Sequence, residues 1–297
     1  MDHNSMILER IRRGQYLQAR RIAEAVLAME TSGPADKAAA AQLGAECAYQ
    51  LDDMQATISL ARQAIVLAEG AGSMEVCGRA QFRLSGALIA AGETQQGVEA
   101  ARQFIAGLAD RWPDLEGELA AKAYANLAMA QRNMRRFPDA LQAYWQALAR
   151  FQNAGHVEGE INTRIQMAYL LLLMEETDEA AEHLERSGAL LSPDVPGNLA
   201  VHQLTHEALL RLNQARYTEA VELAQEVLAP GRHDVTTASR AVALYVAGMA
   251  SLRCGSPPTA RMFLGMAQES ALQCGLAHVM NLVHRLAVEL HTDSKVD

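Results

Sequence analysis

The sequence predicts an all-α protein, a right-handed α-solenoid of about seven helical hairpins with a closing C-terminal helix. Three observations carry this. Half of the 297 residues are hydrophobic, only 5% are aromatic, and the 20 glycines are nowhere clustered. That composition favours helices over a β-sandwich, a barrel or a glycine-looped nucleotide fold. Turn-like hexapeptides recur at near-constant spacing, the mark of a repeat architecture. Finally, none of the 8 prolines interrupts an apolar helical period.

The hexapeptides RRFPDA (135–140), EETDEA (175–180), ARYTEA (215–220) and GSPPTA (255–260) end on Ala140, Ala180, Ala220 and Ala260, each 40 residues apart. Looser copies end at Gly97, Ala56 and Ala19, at intervals of 43, 41 and 37 going upstream. An apolar helical period precedes and follows each copy. The hexapeptide is therefore the turn of a hairpin, and its last residue, the pivot, opens the second helix. Pro138, Pro257 and Pro258 fall at such turns, and Pro34, Pro113, Pro193, Pro196 and Pro230 fall between hairpins. Hairpins are expected near 3–30, 36–71, 74–110, 115–154, 157–191, 198–229 and 235–274. Together they form a single superhelical domain, 1–291, with 1–33 as an atypical capping hairpin, 276–291 as the closing helix and 292–297 as a polar tail.

Twelve residues before the pivots stand Gly44, Ser85, Ala128, Ala168, Ala208 and Gly248, all small, as two closely crossing helices require. In this phase the sequence resembles the tetratricopeptide (TPR) repeat family. Tyr124-x2-Leu127-Ala128, then Phe137-x2-Ala140-x3-Tyr144-x2-Ala147-Leu148, follows the family pattern, and Leu43-Gly44 matches its Leu-Gly pair. The resemblance covers roughly 36 to 275. The repeats run near 40 residues rather than about 34, similar to the longer repeats of bacterial sensory and regulatory proteins of this family. Two positions depart from the pattern: Ile7 replaces the small residue in the first hairpin, and Glu207 takes a usually apolar place near Ala220.

The resemblance implies that the first helix of each hairpin lines a concave face, a candidate peptide groove. Fourteen residues before the pivots lie Gln42, Arg83, Asn126, Gln166, His206 and Val246; eighteen before lie Ala38, Arg79, Lys122, Asn162, His202 and Val242. Eleven before lie Ala45, Gly86, Met129, Tyr169, Leu209 and Met249, an adaptable apolar floor in the later repeats. Arg79, Arg83, Lys122 and Asn126 are expected to form a cationic and amide cluster. In the family a similar arrangement grips a peptide's terminal carboxylate, since guanidinium forks pair two oxygens and asparagine serves both backbone groups. The expected groove is Arg79, Arg83, Lys122, Asn126, Met129, Asn162, Gln166, Tyr169, His202 and His206. Competing readings make Arg79 and Arg83 solvated charges paired with Glu75 or other carboxylates, and Met129 a core gap-filler. His202 and His206, four residues apart, could meet a metal, but no third ligand is evident, and neither metal nor cofactor is expected. Trp112 and Trp145 are read as structural plugs between hairpins.

A net charge of −9 makes nucleic acid a poor partner. The first thirty residues lack a signal-peptide core, and the longest apolar run, 167–174, is too short to span a bilayer. No membrane association and a cytoplasmic location are expected. The 4 cysteines, at 47, 77, 254 and 274, have no CxxC spacing and read as reduced packing residues. There is no GxSxG, P-loop, GxGxxG or isolated carboxylate pair, so no enzymatic activity is expected. The leading expectation is a non-enzymatic scaffold or sensor that binds a protein or peptide in bacterial signalling or regulation. The alternatives are the sensory input domain of a larger signalling enzyme, such as a diguanylate cyclase or histidine kinase, and a structural array that self-associates as a homodimer.

Overall fold

A computed structural model describes residues 3–232 and 234–274. Among them there are fourteen α-helices, one short 3-10 turn and no strand. The helices pair as seven hairpins in chain order: α1 (His3–Arg12) with α2 (Tyr16–Ala28), α3 (Pro34–Gln50) with α4 (Met54–Ala71), α5 (Met74–Ala90) with α6 (Thr94–Gly107), and α7 (Glu118–Asn133) with α8 (Phe137–Asn153). Then come α9 (Val157–Leu173) with α10 (Thr177–Gly188), α11 (Gly197–Asn213) with α12 (Tyr217–Val227), and α13 (Thr237–Arg253) with α14 (Pro257–Cys274). The chain divides into two compact units, Met1–His156 and Val157–Asp297, whereas the sequence reading treats 1–291 as one array. The expected closing helix 276–291 and tail 292–297 lie outside the described residues.

The recurring hexapeptide has a backbone cause. Between the helices of each hairpin one residue adopts a left-handed conformation: Gly14, Asp52, Gly92, Arg135, Glu175, Ala215 and Gly255, with φ from 57° to 83°. Around it the last turn of the first helix closes in the Schellman manner. The Arg135 N–H donates to the Arg132 carbonyl and the Arg136 N–H to the Gln131 carbonyl, a pairing repeated at Ala215–Arg216. Four residues after the helix cap comes the pivot, whose N–H donates to the cap carbonyl: Ala140 to Arg136, Ala180 to Glu176, Ala220 to Arg216 and Ala260 to Ser256.

By this criterion the second hairpin's pivot is Thr57, which donates to Asp53 and is fully buried, and not Ala56. The sequence register of that repeat is one residue out. An alanine beside a threonine hid the shift, because both are small enough for the crossing. Corrected, the position eleven before the pivot is Glu46 rather than Ala45, and the small residue twelve before it is Ala45, also fully buried.

The two small columns touch, as their spacing implies. A Cβ on Gly97 would lie 2.5 Å from Ile89 Cγ1 and 3.1 Å from the Ser85 carbonyl oxygen; one on Gly248 would lie 2.7 Å from Leu264. The first hairpin tolerates Ile7 because α2 opposes it with Ala19 and Ala23. In the 198–229 repeat the Ala220 register holds, and Glu207 accepts a hydrogen bond from Gln203 at 2.8 Å.

Consecutive first helices pack on one another: α1, α3, α5 and α7 in the first unit, and α9, α11 and α13 in the second. Within a unit, α2, α4, α6, α10 and α12 each pack instead between their own partner and the first helix of the next hairpin, as α4 does on α5. Within each unit the first helices therefore form the inner layer and the second helices a spread outer layer.

Trp112 is the plug expected of it. It is buried, stacks on Phe104 at 5.4 Å, and rests on Gly78 and Gly107, where a Cβ would fall within 2.8 Å of its ring. Trp145 is not a plug. It is 47% exposed, because Tyr144 and Leu148 occupy the buried stripe of α8 and Trp145 lies one residue off it. Cys47 and Cys77 are buried packing residues, and burial raises the Cys47 thiol pKa to about 11. Cys254 is exposed at the end of α13, against the packing expectation.

Candidate functional site

The inner layer of the first unit brings together Arg79, Arg83, Lys122, Asn126 and Met129, all at least partly exposed on α5 and α7. The cations are not free. Arg79 Nε donates to Glu75 at 2.9 Å, and Lys122 Nζ donates to Glu118 at 2.5 Å. Both pairs have the acid four residues N-terminal to the base, the favoured orientation on a helix. The Lys122 hydrogen bond also holds the Glu118 carboxyl below the usual carboxylate range.

Arg83 reaches across to α3, where its Nη2 donates to Glu46. Its guanidinium lies 4.3 Å from the Tyr49 ring centroid and 5.4 Å from that of Phe82. The Arg83 Nε is buried with no hydrogen-bond partner. The expected cationic cluster is thus a set of three ion pairs, the solvated-pair reading for Arg79 and an inter-hairpin clamp for Arg83. The sequence reading missed Glu46 because of the one-residue slip at Ala56, and Tyr49 because it lies outside the three rows in either register. A strict spacing of 40 counted back from Gly97 reaches Thr57, and would have put Glu46 in the inner row.

Gly86 lies on the same face, one turn after Arg83. A Cβ there would meet Asn126 Nδ2 at 3.3 Å and Tyr49 Cε2 at 3.9 Å, so α3, α5 and α7 each contribute to one spot. On the opposite side of α5 a shallow concavity of about 450 Å³ opens against α6, and Gln81 there donates to Gln103 and to the Ala100 carbonyl.

In the second unit, Asn162 and Gln166 on α9 are partly exposed, as is His202 on α11. Tyr169 and His206, expected to face a groove, are only 6% and 7% exposed. Their rings meet edge-to-face at 5.1 Å, each covering the other. The His206 Nδ1–H donates to the His202 carbonyl at 2.7 Å, and His202 Nε2 lies 3.4 Å from Thr236 Oγ1 at the start of α13. Burial lowers the His202 pKa below that of an ordinary imidazole. Both histidines are thus engaged with their own scaffold. Beside them Val242, Val246 and Leu209 are buried and Met249 partly exposed, so these inner rows of the second unit hold no Asp, Glu, Lys or Arg.

A buried polar network went unread in the sequence. Arg164 on α9 donates to Glu160, while Gln203 on α11 donates to the Leu184 carbonyl and accepts from Ser187 of α10. His183 of α10 is buried nearby, and burial, then the charges of Arg164 and Arg186, lower its pKa to about 4. The i,i+4 spacing of Glu160 and Arg164 was the available signal, but it looks the same on a solvated face.

No family model matches the chain, and no curated protein matches its sequence. Solved structures do. The apo form of RapI is similar at 16% identity and a TM-score of 0.69, over 90% of this chain and 96% of that one. A Rap protein complexed with competence and sporulation factor matches at 14% and 0.65, over 92% and 75%. The apo quorum sensor NprR from B. thuringiensis matches at 12% and 0.66, over 97% and 80%. These neighbours are TPR-like repeat proteins. The fold of this chain is a tetratricopeptide-repeat fold. At such identities the likeness is one of fold, and it accounts for the inner layer of first helices and the columns of small residues between the two helices of a hairpin. TPR arrays are built from hairpins that cannot bury their faces alone, which is why the hairpins recur. Among the described residues no helix is long and apolar enough to cross a membrane.

Proposed function

We propose that this TPR protein is a non-enzymatic receptor that holds an extended peptide or partner segment against its inner helical faces and acts in bacterial signalling or regulation within the cytoplasm. The observation that carries this reading is that each unit, taken by itself, presents partly exposed amide side chains on its inner layer, Asn126 in the first and Asn162 and Gln166 in the second, on helices whose other faces are committed to an alanine-rich core. An amide side chain can donate to a peptide carbonyl and accept from a peptide N–H, so such faces suit an extended main chain. Met129 and Met249 add adaptable apolar contact. Tyr169 and His206 would support that surface from beneath, with His202 at its edge. Arg79, Arg83 and Lys122 would meet a ligand carboxylate only by exchanging it for Glu75, Glu46 or Glu118. Acidic ends are therefore secondary to main-chain recognition. A related fold carries a Rap protein's complex with competence and sporulation factor and NprR's role as a quorum sensor, which supports a regulatory binding role here.

The test is capture of ligands from the source cell's lysate on immobilised protein, wild type against an Asn126→Ala/Gln166→Ala variant, with bound species identified by mass. Species lost by the variant support the reading. An identical set bound by both would overturn it.

A further inference from the structure

Gly86 sits in the interior of α5, where glycine is the least favourable residue other than proline. The backbone does not demand it, and packing resists a Cβ only through the end of one flexible side chain. Its φ is not in the left-handed region, and a Cβ would approach only the flexible end of Asn126 and, at 3.9 Å, the edge of Tyr49. Gly78 on the same helix differs, since a Cβ there would fall 2.5 Å from Leu115 and 2.8 Å from Trp112. The missing side chain at 86 leaves a partly exposed notch on the inner face, overhung on one side by the Asn126 amide. Tyr49 of α3 and Asn126 of α7 flank it, and the Arg83–Glu46 pair lies one turn before it.

We infer that this notch is a main-chain subsite, over which the backbone of an extended peptide crosses α5. The inference rests on the peptide-binding reading and refines it. The Asn126 amide is placed to bond a peptide group at the crossing, and the Tyr49 ring, held against the Arg83 guanidinium, forms a fixed wall. The notch is one side chain deep, so the crossing residue of the ligand is small. Because Arg83 is already neutralised by Glu46, the subsite does not require a carboxylate.

The experiment immobilises the full chain and offers an equimolar library of random hexapeptides with acetylated and amidated ends, read out by mass spectrometry. Four proteins are compared: wild type, Gly86→Ala, Gly86→Leu, and Gly70→Leu, the last carrying the same change on α4 where a Cβ meets nothing within 4 Å. Wild type and Gly70→Leu are expected to retain the same peptides, enriched in glycine, alanine or serine at one position. Gly86→Leu should lower their retention at least tenfold. Gly86→Ala should lower it severalfold while its melting temperature stays equal or rises, which a packing role for the glycine would not allow. Equal retention by wild type and Gly86→Leu overturns the subsite and leaves the inner-face reading standing. A lowered melting temperature in Gly86→Ala also overturns the subsite. Failure of wild type to retain any peptide overturns the peptide-binding reading and the subsite with it.

Discussion

Replacing Glu46 by glutamine and Arg83 by methionine, singly and together, measures whether the inner face of the first unit holds a free cation or a closed ion pair. The two side chains are 24% and 16% exposed, between the solvated and fully buried limits. Solvated pairs contribute about 0.2–1 kcal/mol, while breaking a buried pair costs about 3–5. A coupling energy of about 1–2 kcal/mol is therefore expected between positions 46 and 83. Arg83→Met should cost more than Glu46→Gln, because it also removes the stacking on Tyr49, about 0.5–1 kcal/mol. The assay is urea unfolding of the four proteins followed by tryptophan fluorescence. Both tryptophans, Trp112 and Trp145, belong to the Met1–His156 unit, so the signal reports on that unit alone. Since the pair is partly desolvated, about 1 M salt should leave more than half of the coupling in place. A coupling within about 0.3 kcal/mol of zero would refute the reasoning. Arg83 would then be an available cation, and a carboxylate clamp would again be the better description of this face.

The corrected register predicts that Thr57→Leu destabilises the first unit by about 1–3 kcal/mol through overpacking, whereas Ala56→Gln stays within about 0.5 kcal/mol; the reverse order in urea unfolding would restore Ala56 as the pivot. Trp112→Ala should cost about 3–5 kcal/mol and Trp145→Ala about 0.5 or less, read as shifts in the same unfolding midpoint. His183 is held neutral in the fold with a pKa of about 4, against 6.5 when unfolded, so the unfolded chain takes up the proton first as pH falls. Stability from this group is complete above pH 6.5 and declines toward pH 4, by up to about 3 kcal/mol. Circular dichroism melts of wild type and His183→Gln across that window should show a shallower pH slope in the variant; parallel slopes would contradict the assignment.

The repeat and its hairpins were legible in the sequence because their causes are local. A left-handed turn residue, a cap and a small pivot must follow one another within six positions, and sequence spacing displays that directly. The slip at Ala56 shows the limit of reading small residues alone. Alanine and threonine both fit a helix crossing; the 40-residue spacing from Gly97 favours Thr57, and its burial and its hydrogen bond to Asp53 decide it. Trp145 failed for a related reason: its position relative to the buried stripe depends on a single residue of helical phase. The candidate site was legible as a set of rows but not as a set of partners. Glu75 and Glu118 were within reach of a sequence argument, through their i,i+4 spacing to Arg79 and Lys122. Glu46 enters the inner row only with the 40-residue spacing from Gly97, and its pairing with Arg83 was not legible, since it depends on how one hairpin packs on the next.

By itself, then, the order of residues determined the all-helical class, the seven hairpins and which helix of each would carry the polar rows, because turn chemistry and helical periodicity act over a few residues. Tertiary structure decided which charges are neutralised, which rings are covered and where the face is left bare. Arg83 meets Glu46, Tyr169 meets His206, and Asn126 overhangs Gly86 across repeats about forty residues apart. Those contacts depend on the packing of one hairpin upon the next, a geometry that no local pattern contains.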